Sequence, residues 1–202
     1  LVERAPRRLR HAASTRRYHG EDINANGGGF SGLVVRHNVF DSRSSGTAVV
    51  CANNSNIINS SVYGNVFVDC AAGNGIIAGT SAGYLAGVQV FNNTFARCSG
   101  AGWFVGGTGA PTGNVANNNL VFGMSGAVGN GIGVHDYNAY FQTTATPTEA
   151  HGQTGAGDPF MDARSNLHLA AATLPGKTLA APFDVDADAV VRGADGTWDI
   201  GA

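Results

Sequence analysis

An asparagine followed two residues later by phenylalanine returns along the middle of this 202-residue chain at almost constant spacing. It stands as HNVF at His37 to Phe40, GNVF at Gly64 to Phe67 and NNTF at Asn92 to Phe95, with a degenerate NNLVF ending at Phe122. The steps from Asn38 to Asn65, Asn93 and Asn119 are 27, 28 and 26 residues. A period of this length means one supersecondary unit stacked on copies of itself, each burying a face it cannot bury alone. A second marker keeps the same beat. The apolar segments at Val49, Ile76, Trp103 and Ile132 follow one another at steps of 27, 27 and 29.

Short strands are the expected elements. Gly, Asn and β-branched residues dominate, and no apolar stripe of helical period is present. Leu33-Val34-Val35-Arg36 and Val88-Gln89-Val90-Phe91 alternate as half-buried strands do, with turn residues after each. Such a repeat suits one circuit of about two or three strands, with successive circuits pairing in parallel at about 4.8 Å. Asn38, Asn65 and Asn93 are then expected to form a ladder of hydrogen-bonded amides. Phe40, Phe67 and Phe95 should stack beside it, with Val35, Val62 and Val90 on the same inner face.

The chain divides into three parts. Residues 1–26 form an arginine-rich leader or a remnant of upstream sequence, holding Arg4, Arg7, Arg8, Arg10, Arg16 and Arg17. Residues 27–141 carry the repeats, and residues 142–202 lose them. The start lacks both Met and the apolar stretch of a secretory signal, so the chain is expected to be a piece of a longer one. No apolar run is long enough to span a bilayer. A net charge of −2 gives no reason to expect a nucleic-acid partner. Cys51, Cys70 and Cys98 make no metal-type CxxC cluster, and Cys70 with Cys98 is expected to be a buried pair of thiols.

The segments GLVVRHNVFDSRSSGTAVV, SVYGNVFVDCAAGNGIIAG and VQVFNNTFARCSGAGWFVG resemble the repeats of right-handed parallel β-helix proteins of the pectate-lyase-like superfamily. The resemblance covers roughly residues 32–141. Asp158-Pro159-Phe160-Met161-Asp162, then Leu167-His168-Leu169, then Asp199-Ile200-Gly201-Ala202 resemble the closing segment of secreted bacterial β-helix proteins. The resemblance implies an all-β, single-stranded right-handed parallel β-helix, a solenoid of about four to five coils, with a non-repetitive C-terminal capping segment over the open strand edges. It further implies a secreted or cell-surface protein that interacts with carbohydrate, as a polysaccharide lyase or glycoside hydrolase acting on an extended polysaccharide. The alternatives are a non-catalytic structural, adhesive or self-assembling solenoid module, or a fragment of a larger β-helix enzyme, because one fold hosts many functions.

Candidate chemistry gathers at four places. Asp69 and Arg97 fall one repeat apart in the column Ser42, Asp69, Arg97, Met124, as a vertical salt bridge or as the carboxylate and arginine of a uronate-cleaving site. In enzymes the chain resembles, such an arginine works with calcium. His135, Asp136 and Tyr137 sit where the repeat breaks down, with His151 in the following loop, and supply acid and base groups for proton abstraction or else a structural turn. The outward column Arg36, Tyr63, Phe91, with His37 beside it, offers aromatic faces to sugar rings or is covered by the tail or another subunit. Asp184, Asp186 and Asp188 alternate as in calcium loops, although Ala189 and Arg192 depart from the EF-hand pattern, leaving a looser calcium site or a solvated acidic turn. No other cofactor is indicated. A second column, Val50, Ile77 and Phe104, is wholly apolar and is expected under the tail or in a homo-oligomer contact.

Overall fold

The computed structural model describes residues 8–10, 23–26, 29–41, 48–53, 56–70, 74–78, 85–98, 104–105, 112–124, 133–186, 188 and 190–201. Among these the chain is all-β, without a helix, and its sheets are parallel apart from one short hairpin. Each strand pairs with the equivalent strand of the next repeat, an arrangement consistent with a β-solenoid. The asparagine period therefore reports the circuit length, as expected.

Four parallel sheets run along the stack. The five-stranded sheet contains Val34–Arg36, Ser61–Tyr63, Gln89–Phe91, Val115–Asn117 and Val134–Asp136, with Val35, Val62, Val90, Ala116 and His135 in register. The seven-stranded sheet follows it around each turn. It contains Arg8–Arg10, Val39–Asp41, Val66–Val68, Thr94–Ala96, Leu120–Phe122, Ala139–Phe141 and Gln153–Gly155. A three-stranded sheet (Phe30–Ser31, Ile57–Ile58, Leu85–Ala86) and a four-stranded sheet (Ile23–Asn26, Ala48–Asn53, Asn74–Ala78, Phe104–Val105) complete the set. Arg8–Arg10 and Ile23–Asn26 belong to the stretch expected as a leader, so part of that stretch supplies rungs of the stack.

Strands only two or three residues long must be joined by sharp corners, and the backbone makes them with single left-handed residues. One corner column is Gly32, Asn59, Gly87, Gly113; a second is His37, Gly64, Asn92, Asn118, Tyr137; a third is Asp69, Arg97, Gly123, Gln142. Gly and Asn adopt positive φ at little cost, whereas bulky side chains do not. Tyr137, at φ 58, is therefore the costly member of the second column.

The asparagine ladder lies just inside that second corner and is buried from Asn65 onward. The Oδ1 atom of each asparagine accepts both the backbone N–H and the Nδ2 of the asparagine one rung earlier. The pairs run Asn38 to Asn65 (3.1 and 3.1 Å), Asn65 to Asn93 (3.1 and 3.0 Å), Asn93 to Asn119 (3.1 and 3.0 Å) and Asn119 to Asn138 (2.8 and 3.0 Å). The second Nδ2 proton goes to a backbone carbonyl, such as Val62 for Asn93 and Val90 for Asn119. With these polar atoms satisfied, the amides are tolerated in an interior that would otherwise exclude them.

Beside the ladder, Phe40, Phe67 and Phe95 stack with ring centroids 5.0 and 4.6 Å apart and nearly parallel planes. Val121 and Tyr140 continue the column; the 26-residue step puts Val121, not Phe122, in the phenylalanine register. The same shift brings Gly123 into line with Asp69 and Arg97 instead of the expected Met124, through the bonds Arg97 N–H to Phe122 O and Gly123 N–H to Phe141 O. Met124 is buried in the same core as Cys70 and Cys98, whose thiols point to backbone carbonyls such as Val68 O and Ala96 O. Ser42 lies outside the described residues, as do Trp103 and Ile132.

The C-terminal part joins the stack in two ways. Gln153–Gly155 adds a rung to the seven-stranded sheet, and Phe160–Asp162 forms an antiparallel hairpin with Asn166–Leu169 that sets Phe160 edge-on against Phe122 at 5.5 Å. The chain then runs along the second corner as a strap. Lys177 N–H donates to Asn118 Oδ1 at 2.7 Å, Asn118 Nδ2 donates to Lys177 O, and Asn92 Nδ2 donates to Phe183 O at 2.7 Å. Gly201 N–H returns to Asn118 O. This part of the chain thus serves as a lateral strap, because the corner asparagines present amides to an extended backbone.

Candidate functional site

Alternation in the last strand of the five-stranded sheet separates the residues that the sequence groups together. His135 occupies the inner column, in register with Ala116, and Asp136 the outer one, in register with Asn117. Inward, His135 Nδ1 lies 2.9 Å from Glu149 Oε1. The Glu149 side chain is wholly buried and also accepts from Asn138 N–H (2.9 Å), Asn138 Nδ2 (2.8 Å) and the Tyr140 hydroxyl (2.7 Å). Glu149 stands where the next ladder asparagine would stand, and a carboxylate, which only accepts, ends a chain of donors. Burial, then hydrogen bonding to Glu149, pushes the Tyr140 phenol far above its ordinary range, so it remains a donor.

Outward, Asp136 holds His151. Its Oδ2 lies 2.7 Å from His151 Nδ1, and its Oδ1 accepts the backbone N–H groups of His151 (2.8 Å) and Tyr137 (2.9 Å). Partial burial works against the charged carboxylate, but the bonds from the His151 ring and backbone outweigh it and hold the Asp136 pKa below its ordinary 3.8. An ionised Asp136 can only accept, so the ring proton of a neutral His151 resides on Nδ1 and its lone pair on Nε2. The His151 side chain is 56% exposed, and its ring stacks on Tyr137 at 4.3 Å and 7°. That stacking offsets part of the cost of placing a tyrosine in the left-handed corner.

The remaining candidates stand apart from this corner. Asp69 and Arg97 pair at 2.7 Å on the third corner, at the far edge of the seven-stranded sheet, with their side chains about a quarter exposed. Asp69, Arg97, His135, Asp136 and Tyr137 therefore do not form one site. Partly exposed pairs of this kind contribute about 0.5 kcal/mol. A double-mutant cycle with Asp69→Asn and Arg97→Gln is expected to return a coupling below about 1 kcal/mol; a value near 3 would mark a more deeply committed pair.

The column Arg36, Tyr63, Phe91 is in register as expected, but it is closed as a surface for sugar rings. Phe183 from the strap meets Tyr63 at 4.8 Å and Phe91 at 4.9 Å, both edge-to-face, and both rings are buried. Arg36 Nη1 donates to the Tyr63 hydroxyl at 3.2 Å, and His37 packs edge-on against Tyr63. Asp184, Asp186 and Asp188 do not converge. Asp186 Oδ1 accepts the N–H groups of Asp188 and Val190, shaping a turn. Among the described residues no three His, Cys, Asp or Glu side chains are grouped to hold a metal ion. The apolar column is also corrected. Val50 and Phe104 both pair with Ile76, while Ile77 pairs with Cys51 and Val105, so Val50, Ile77 and Phe104 do not line up.

Two residues of these clusters escaped sequence reasoning, Glu149 and Phe183. Neither belongs to a repeat. The one available signal for Glu149 was an isolated acid following closely on the last ladder asparagine. No helix among the described residues is long and apolar enough to cross a membrane. In comparisons with known proteins, no family model, no curated protein and no solved structure matched the chain.

Proposed function

We propose that this chain is a right-handed parallel β-helix of the pectate-lyase-like kind, secreted or at a cell surface, that acts on an extended polysaccharide through the Asp136–His151–Tyr137 corner. The observation that carries this is the exposed histidine oriented at two points by one ionised carboxylate, which leaves the Nε2 lone pair as the ring's proton acceptor. A histidine so held transfers protons as a general base in elimination next to a sugar carboxylate or in hydrolysis. Tyr137 keeps the ring from turning. The support from the fold is the stacked, extended flank, which suits a long chain better than a small metabolite.

The test is a panel of uronate-containing and neutral polysaccharides, scored for unsaturated and reducing ends. His151→Gln is expected to lower kcat by about 100-fold with the fold retained, and Asp136→Asn to do so less severely. Full activity in His151→Gln would sink the assignment. A second reading, a non-catalytic structural solenoid, is favoured by the burial of Tyr63 and Phe91 under the strap. It predicts no cleavage of any polysaccharide in the panel.

A further inference from the structure

We propose that His37 is an acid-sensitive latch: its neutral ring holds the tip of the C-terminal strap against the second corner, and protonation releases that tip and uncovers Tyr63 and Phe91. This goes beyond the carbohydrate assignment and does not depend on it.

The ring is tightly seated. A Cβ placed on Gly64 would lie 2.5 Å from His37 Cδ2, so only glycine leaves room for the ring at the next rung. The ring edge meets Tyr63 at 5.7 Å and 84°. The ring lies close to the backbone of Val185 in the strap, which by itself favours a protonated ring, but burial outweighs it, and Nε2 is buried without a hydrogen-bond partner. The charged groups that act on the ring are Arg36, just before it in the chain, and Arg192 and Asp186 from the strap. Asp186, the sole acid among them, already spends Oδ1 on the amides of Asp188 and Val190. Arg192 Nε and Nη2 are themselves buried without partners, so this corner already holds more donors than acceptors. A second ring proton would sit on Nε2, which has no hydrogen-bond partner, in the field of two guanidinium groups that together oppose it more than Asp186 favours it.

Burial first, then Arg36, holds the His37 pKa below its ordinary 6.5. The released ring therefore binds a proton more readily than the docked ring. The stabilisation from docking is complete above about pH 6.5 and is lost as pH falls from there through the lower docked value. The part that moves is small. Asp186 N–H to Val190 O (2.9 Å) and Arg192 N–H to Asp184 O (2.8 Å) tie the tip into one turn, and Phe183 precedes it by a single residue. The strap stays anchored elsewhere by the exchange between Asn118 and Lys177 and by Gly201.

Hydrogen exchange of the intact chain, corrected for intrinsic rates, tests this at about pH 7.5 and pH 5.5. The tip, residues 183–192, is expected to exchange several-fold faster at the lower pH, while the core strands around Asn93 and Asn119 stay unchanged. His37→Asn, a residue the same corner carries at Asn92 and Asn118, is expected to abolish the difference. Should that variant fail to dock its strap, Asp186→Asn supplies the second arm. It keeps an acceptor for the turn but removes the one nearby acid, and the acid response should grow. Equal protection of the wild-type tip at both pH values overturns the latch. So does a response that persists in His37→Asn, or one that Asp186→Asn leaves unchanged.

Discussion

Glu149→Gln is expected to cost the fold about 3 kcal/mol, with a lower denaturant midpoint and an unchanged dependence on denaturant. The wild-type carboxylate accepts from four donors: Asn138 N–H, Asn138 Nδ2, the Tyr140 hydroxyl and His135 Nδ1. Glutamine has the same shape but only one accepting atom. Placed toward Asn138 N–H, its amide nitrogen opposes one buried donor; placed the other way, it opposes three. The cost exceeds that of an ordinary lost hydrogen bond because the site is sealed, with no solvent to repair it. The same site terminates the ladder, so damage should spread back along it through Asn119. Hydrogen exchange at Asn119 and Asn93 would show that spread. A loss below about 1 kcal/mol would mean that the carboxylate does not serve as the ladder's last acceptor.

Phe67→Ala should be costlier still, about 4 kcal/mol. Phe67 is fully buried and sandwiched between Phe40 and Phe95, so truncation empties the centre of the stack and removes two ring contacts. The rungs on either side are hydrogen-bonded in fixed register through Val66–Val68, which prevents them from collapsing into the space. Phe67→Leu should recover more than half of the loss, since it refills most of the volume. Equilibrium urea unfolding measures both. A loss under about 1.5 kcal/mol for the alanine variant would show that the stack does not carry the core.

Much of the architecture was legible because a solenoid writes its geometry into its period. Asn38, Asn65, Asn93 and Asn119 were each identifiable from spacing alone, and stacking follows once strands pair one repeat apart. Slips occurred where the period changed. The 26-residue step before Asn119 moved Val121 into the phenylalanine column, and the pairing of Ile76 with both Val50 and Phe104 broke the apolar column drawn through Ile77. A one-residue offset reverses which face a side chain occupies, so small counting errors have large consequences in strands.

The candidate site was half legible. His135, Asp136, Tyr137 and His151 could be grouped by proximity in sequence, but not divided into a buried pair with Glu149 and an exposed pair at the corner. That division depends on strand alternation and on where the chain returns after the last rung. The aromatic column Tyr63 and Phe91 was correctly aligned, yet its burial depended on Phe183, more than ninety residues further along.

The sequence by itself determined the repeating interior: which amides and rings stack, and roughly how long each circuit is, because periodic chemistry repeats wherever the backbone returns. Only the tertiary structure decided how that interior is finished. The acid that ends the ladder, the strap that covers the aromatic column and the carboxylate that orients His151 all come from non-repeating residues. Their partners lie across loops of no fixed length, so no spacing rule announces them, and only the folded path brings them into contact.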